Sequence, residues 1–216
     1  RPGDFKSPAY TSSATRPCRP CSRYPAFGAG GKRMRSLTAI RFAQAEATAE
    51  AASPAGAARA AWARTDALAQ AAPGRDDWAC RPGCAACCHL LVRVTPGEAD
   101  AVAEHIHSAV PEAEQARLAR RVAEGARAAE GVDAGAYRRA RLRCAFLDAT
   151  DRCRIYAARP VMCRVHASRS APACADVGLL PPLDTWLAKV GRAIHAGLGE
   201  APLEELHQAL TQRLRR

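Results

Sequence analysis

Four cysteines fall within nine residues, Cys80-Arg81-Pro82-Gly83-Cys84-Ala85-Ala86-Cys87-Cys88, a C-x3-C-x2-C-C cluster. Four more follow at Cys144, Cys153, Cys163 and Cys174, out of ten in the chain. Cysteine is neither abundant nor a turn former, so packing does not account for that density. Closely spaced thiols are what a tetrahedral zinc site or an iron–sulfur cluster requires, with the remaining ligands brought in from further along. Pro82 and Gly83 let the backbone curl so that several sulfurs converge. Arg81, Arg143, Arg152, Arg154, Arg159 and Arg164 flank the cysteines, and a nearby arginine lowers a thiol pKa and donates hydrogen bonds to sulfur. Arginine is common throughout this chain, so the flanking positions carry less weight than the thiols. The eight cysteines are the candidate metal ligands.

Other chemistry is weaker. Structural disulfides are opposed by the lack of a secretory signal at the N-terminus and by the adjacent Cys87-Cys88 pair, which is awkward for ordinary disulfide geometry. Buried free thiols are opposed by the clustering. Cys18 and Cys21 form a lone C-x2-C flanked by prolines and read as incidental thiols. Cys80, Cys84 and Cys87 also fit the C-x3-C-x2-C spacing of radical S-adenosylmethionine enzymes, but the strand–helix alternation of those barrels is absent. His89 and His166 adjoin cysteines and read as surface or outer-sphere groups. His105 and His107 point to different sides of a helix and are no ligand pair. His195 and His207 lie near apolar stripes and read as incidental. Tyr156, Arg159 and Arg164 read as packing and charge neutralisation around the cysteines. Gly28-Ala29-Gly30-Gly31-Lys32 lacks the spacing and preceding strand of a phosphate loop.

The elements that must position the cysteines are helical. Residues 1–35 are a basic leader rich in Pro, Ser, Gly and Arg, without apolar periodicity, and are expected to be disordered. Ser36 to Ala72 reads as helix interrupted near Ser53-Pro54-Ala55-Gly56 and ended by Pro73-Gly74. Thr95-Pro96-Gly97-Glu98 reads as an N-cap, a first-turn proline and a capping-box glutamate. The helix it starts presents Ala99, Val102, Ala103 and Ile106 on one face. Another helix runs from Pro111 to about Glu130 with Leu118 and Val122 inward. The stretch Cys144–Cys174 reads as irregular. Leu183, Trp186, Leu187, Val190, Ile194 and Leu198 form one C-terminal stripe, and Leu203, Leu206, Leu210 and Leu214 another. The alanine-rich core would be thin, and an internal metal staple would offset that.

The net charge of +11 does not argue for nucleic acid. Residues 1–41 hold nine Lys/Arg against Asp4 alone, so the rest of the chain is only +3. A nucleic-acid-binding domain would show its basic excess on the folded surface. No stretch of 18 or more apolar residues appears, so no membrane helix is expected. Unpaired cysteines without a secretory signal suit a reducing, cytoplasmic setting. The chain begins at Arg1, and Met34 is the expected start of the native protein.

Cys80-Arg-Pro-Gly-Cys84-Ala-Ala-Cys87-Cys88 with Val94-Thr-Pro-Gly-Glu98-Ala99 resembles the opening of the bacterial YkgJ-type cysteine-cluster family. Cys144-Ala-Phe146-Leu147, Cys153-Arg-Ile155-Tyr156 and Arg159-Pro160-Val-Met-Cys163-Arg164 resemble its second half. The family is described as zinc- or iron-chelating, with eight cysteines. The resemblance implies Cys80, Cys84, Cys87, Cys88, Cys144, Cys153 and Cys163 as metal ligands, with Cys174 in less distinctive text as the eighth. Ala145 stands where the family often has proline. The family also looks related to an iron–sulfur flagellin lysine N-methylase, which supplies an enzymatic alternative without any methyl-donor site visible here.

The expectation is a mostly α fold: a small helical domain, residues 36–216, around an irregular cysteine-rich core at 80–174. Its cofactor is Zn²⁺ or an iron–sulfur cluster, 4Fe–4S if iron. The alternatives are a protein-modifying enzyme and a thiol redox or chelating protein.

Overall fold

A computed structural model describes residues 36–81, 83–176, 183–199 and 201–215. The expected leader at residues 1–35, Met34 and the Cys18/Cys21 pair lie outside them.

Helix α1 (Leu37–Ala49) starts at Ser36, whose hydroxyl caps Ala39. Ser53 caps α2 (Pro54–Gln70) in the same way, so the expected break falls in the short link between the two. Beyond Gly74, in the left-handed region at φ 67°, a 3-10 turn at Arg75–Asp77 leads into the first cysteine block. The expected capping box is present at the start of α3 (Pro96–Ala109): Thr95 accepts from the Glu98 N–H, and the Glu98 carboxylate accepts from the Thr95 N–H. α4 (Glu112–Ala129) carries Leu118 and Val122 on its buried side, and α5 (Ala134–Arg139) follows, capped by Asp133.

The second cysteine block is irregular, as expected, with two short helices, α6 (Val161–Arg164) and α7 (Ala171–Ala175). α8 (Thr185–Gly197) and α9 (Leu206–Arg213) complete the order. A two-residue strand, β1 (Arg93–Val94), pairs antiparallel with β2 (Glu204–Glu205), placing Arg93 opposite Glu205. The apolar pattern gave no sign of this pairing, since each strand is only two residues long.

α1 packs on α8, α2 on α3, and α4 on α9. Close approach is visible at Gly197, where a Cβ would stand 2.6 Å from the Gln44 side chain, and at Gly97, where it would stand 2.6 Å from the Pro54 carbonyl oxygen. Alanines such as Ala58, Ala61 and Ala99 are fully buried in the core. The larger apolar side chains beside them, Ile40, Trp62, Phe146, Ile155, Leu187, Ile194 and Leu210, reach it from both ends of the chain. Among the described residues no helix is long and apolar enough to cross a membrane.

Candidate metal centre

Each cysteine is set by local backbone hydrogen bonds. Cys84 N–H donates to the Arg81 carbonyl (3.0 Å), and Cys88 N–H to the Ala85 carbonyl (2.9 Å). These bonds curl the first block into a turn and a 3-10 segment at Ala86–His89, with Gly83 at φ 83°. Cys144 N–H donates to the Cys88 carbonyl (2.9 Å), joining the two blocks directly. Asp148 Oδ1 accepts from Thr150 N (2.7 Å) and Arg152 N (3.0 Å), closing a tight turn in which Cys153 pairs with Leu147. Pro160 opens α6, and Cys163 N–H returns to its carbonyl (3.0 Å). Cys174 is carried by α7, which packs on the Ala86–His89 segment.

The eight thiols are free, and all but Cys80 are partly buried. Electrostatic influence links Cys87 to thiols of both sequence blocks. Cys80 feels Cys84, Cys87 and Cys174, whereas Cys88, Cys153 and Cys163 feel Cys87 and Cys144. Cys87 and Cys88 share a hydrogen bond that splits their titration. Together with the Arg159 charge it lowers Cys87 to about 7 against the desolvation of burial, while Cys88 is pushed far up. Burial raises Cys153 to about 11 and Cys163 well above the usual thiol range. Among the described residues no three Cys, His, Asp or Glu side chains are drawn tightly enough together to grip a metal ion as they stand. The backbone gathers the sulfurs without closing them on one point.

The flanking arginines do not act alike. Arg143 pairs with Asp151 (2.6 Å), Arg154 with Glu114, and Arg164 with Asp66. Arg159 is the one whose charge reaches Cys87, Cys153 and Cys163. Its guanidinium lies 3.7 Å from the Tyr156 ring centroid, and its Nε is buried without a hydrogen-bond partner. A half-buried cation with an unpaired Nε beside several thiols fits a centre that becomes anionic when the thiols ionise.

Residues 79–177, a little under half of the chain, match a family model named CxxCxxCC, described as "Putative zinc- or iron-chelating domain". This segment is similar to the CxxCxxCC family. All eight candidate cysteines lie inside the CxxCxxCC segment. No curated protein and no solved structure matches the chain.

Two histidines outside the CxxCxxCC segment correct the reading of them as incidental. His195 Nε2 lies 3.1 Å from the buried Glu98 carboxylate, which also accepts from Trp62 Nε1 (3.2 Å) and Val161 N (2.8 Å). His207 is buried, with Nδ1 2.9 Å from Glu205 Oε1 and its ring stacked on Phe146. Glu98 and Phe146 lie far from these histidines in sequence, so only the Glu205–His207 contact is local. Of the two histidines beside cysteines, His89 donates through Nδ1 to the Arg141 carbonyl (2.9 Å). The buried His166 has no partner at Nε2 and is pushed down to about 4 by burial. An open cleft of about 680 Å³ lies between the β1–β2 pair and the α4–α5 link, and no cysteine lines it.

Proposed function

We propose that the chain is a metal-binding cysteine-cluster protein of a reducing, cytoplasmic setting, holding zinc or an iron–sulfur cluster on Cys80, Cys84, Cys87, Cys88, Cys144, Cys153, Cys163 and Cys174. The observation that carries this reading is the Cys144 N–H bond to the Cys88 carbonyl, which joins two blocks of free thiols, with Arg159 and its unpaired Nε acting on Cys87, Cys153 and Cys163. A closed four-thiolate zinc site would supply a structural cross-link, whereas an iron–sulfur cluster would supply one-electron chemistry and, if 4Fe–4S, a polynuclear centre. The chain's own part is to pack Cys144 and Cys153 against the apolar core and to set Arg159 against the charge of the thiols.

A second reading has its own support. Cys87 and Cys88 are adjacent, and a thiol lowered to about 7 is partly ionised at neutral pH, which suits thiol redox exchange. Anaerobic purification of the full chain, with metal and acid-labile sulfide assayed beside the visible spectrum, separates the two. Iron with labile sulfide and a brown colour, or colourless protein with stoichiometric zinc, is the expected outcome. Metal-free protein with cysteines paired in disulfides by mass spectrometry would establish the redox reading instead.

A further inference from the structure

Cys174 is carried by an element that buries nothing of its own. α7 is five residues long, and none of them is buried. Ser170 caps its first turn, and the helix packs on the Ala86–His89 segment that carries Cys87 and Cys88. Hydrophobic burial therefore does not fix where Cys174 stands.

A polar side chain does. Arg138 of α5 is only 5 % exposed, and its Nη2 donates to the Cys174 carbonyl (3.5 Å) and to the Asp176 carbonyl. Both carbonyls stand at the C-terminal end of α7, where the last turn of a helix leaves acceptors unused. The guanidinium enters none of the ion pairs among the described residues, and its Nε is buried without a partner. Burying a cation is costly unless hydrogen bonds compensate, and the carbonyls of α7 supply them. An apolar residue at 138 would avoid that cost, so the buried donors serve the contact with α7.

The end of α5 is tied to the first cysteine block as well. Arg141, in the left-handed region at φ 49°, donates its N–H to the Arg138 carbonyl (2.9 Å). Its own carbonyl accepts from Nδ1 of His89, the residue after Cys88 (2.9 Å). One short stretch of chain thus grips the Ala86–His89 segment through the Arg141 carbonyl and α7 through the Arg138 guanidinium. Nothing local in the sequence marks this role, because Arg138 lies 36 residues before Cys174.

On the reading that the cysteines bind metal, we propose that Arg138 is the positioning residue of Cys174. It clamps the C-terminal end of α7 to α5 and so sets where the eighth thiol stands relative to Cys87 and Cys88. Loss of a group that holds a metal ligand from behind costs about 10–100-fold in metal affinity.

The test uses Co²⁺ as the probe on the reduced full chain, with thiolate-to-cobalt absorption reporting sulfur ligation and a competing chelator reporting affinity. Arg138→Met keeps an unbranched stem but removes the donors, and is expected to weaken Co²⁺ binding by about 10-fold or more. Cys174→Ser is expected to weaken it at least as much. The double variant is expected to bind no more weakly than Cys174→Ser alone, because a residue that acts through Cys174 has nothing left to act on. Arg138→Lys keeps the charge without the planar fork and is expected to fall between Arg138→Met and the parent. Should Arg138→Met fail to fold, Arg138→Lys with and without Cys174→Ser makes the same comparison. Parent-like affinity in the Arg138 variants, parent-like affinity in Cys174→Ser, or losses that add in the double variant would each overturn the proposal. A parent chain that takes up no Co²⁺ would overturn the metal reading beneath it as well.

Discussion

At the scale of single residues, the decisive asymmetry is between Arg159 and three of the arginines that flank cysteines. Arg143, Arg154 and Arg164 have acidic partners, so their charge is spent within the scaffold. Arg159 has none among the contacts described, lies over Tyr156, and helps hold Cys87 at about 7. Removing that positive charge disfavours the thiolate, so Arg159→Gln should move the Cys87 titration upward. In metal-free, reduced protein the pH profile of iodoacetamide labelling at Cys87, followed by peptide mass spectrometry, is expected to have its midpoint near 7 in the parent and higher in the variant. An unmoved midpoint would assign the lowering to the Cys88 hydrogen bond alone. Sequence spacing placed six arginines near cysteines without ranking them, because which arginine finds an acid is decided by residues as distant as Glu114 and Asp66.

Among the elements, Glu98 does the most joining. It opens α3 in the capping box, and its carboxylate accepts from Trp62 of α2, from Val161 at the start of α6 and from His195 of α8. α6 presents Cys163, so one buried carboxylate ties three other helices to the element that carries a candidate ligand. Burial alone would raise the Glu98 carboxyl, but hydrogen bonding to His195, the His195 charge, and the Val161 and Thr95 amides bring it below its usual range. A carboxyl lowered on folding stabilises the fold above its unfolded value of about 4.3, and that contribution is lost as pH falls through the folded value. Glu98→Gln is therefore expected to cost about 3 kcal/mol in urea unfolding at pH 7. The gap from the parent should close as pH drops below about 4. A gap that persists in acid would show packing, not charge, at fault.

The capping box itself was legible, as were α1, α2, α4 and the stripe of α8, because caps, prolines and 3.6-residue periodicity are local signals. The eight candidate cysteines were legible for the same reason. The roles of Glu98, His195 and His207 were not, since each depends on a partner that only the packing of distant elements supplies. β1 and β2 were too short to leave a pattern.

On the scale of the whole molecule, the cysteine segment is covered by structure that lies outside it. Residues 79–177 contribute Val102, Ile106, Phe146, Ile155 and Val161 to the core, but Ile40, Trp62, Leu187, Val190, Ile194 and Leu210 come from before or after. Many of the remaining buried positions are alanines, which bury little apolar area each, so the segment has few large contacts of its own to offset the ordering of its loops. The buried face of α3 looks onto α2 and α9, and α6 lies against α2 and α8. A fragment of residues 79–177 would expose Glu98 without Trp62 or His195, and the Ala145 N–H without His207. We therefore expect that fragment to show no cooperative thermal transition by circular dichroism when metal-free, while residues 36–216 melt cooperatively. Metal added to the fragment would have to supply its folding free energy as well as bind, so its apparent affinity should fall well below that of the longer chain. A fragment that melts cooperatively without metal would mean that the cysteine segment is a domain in itself and the flanking helices an addition to it.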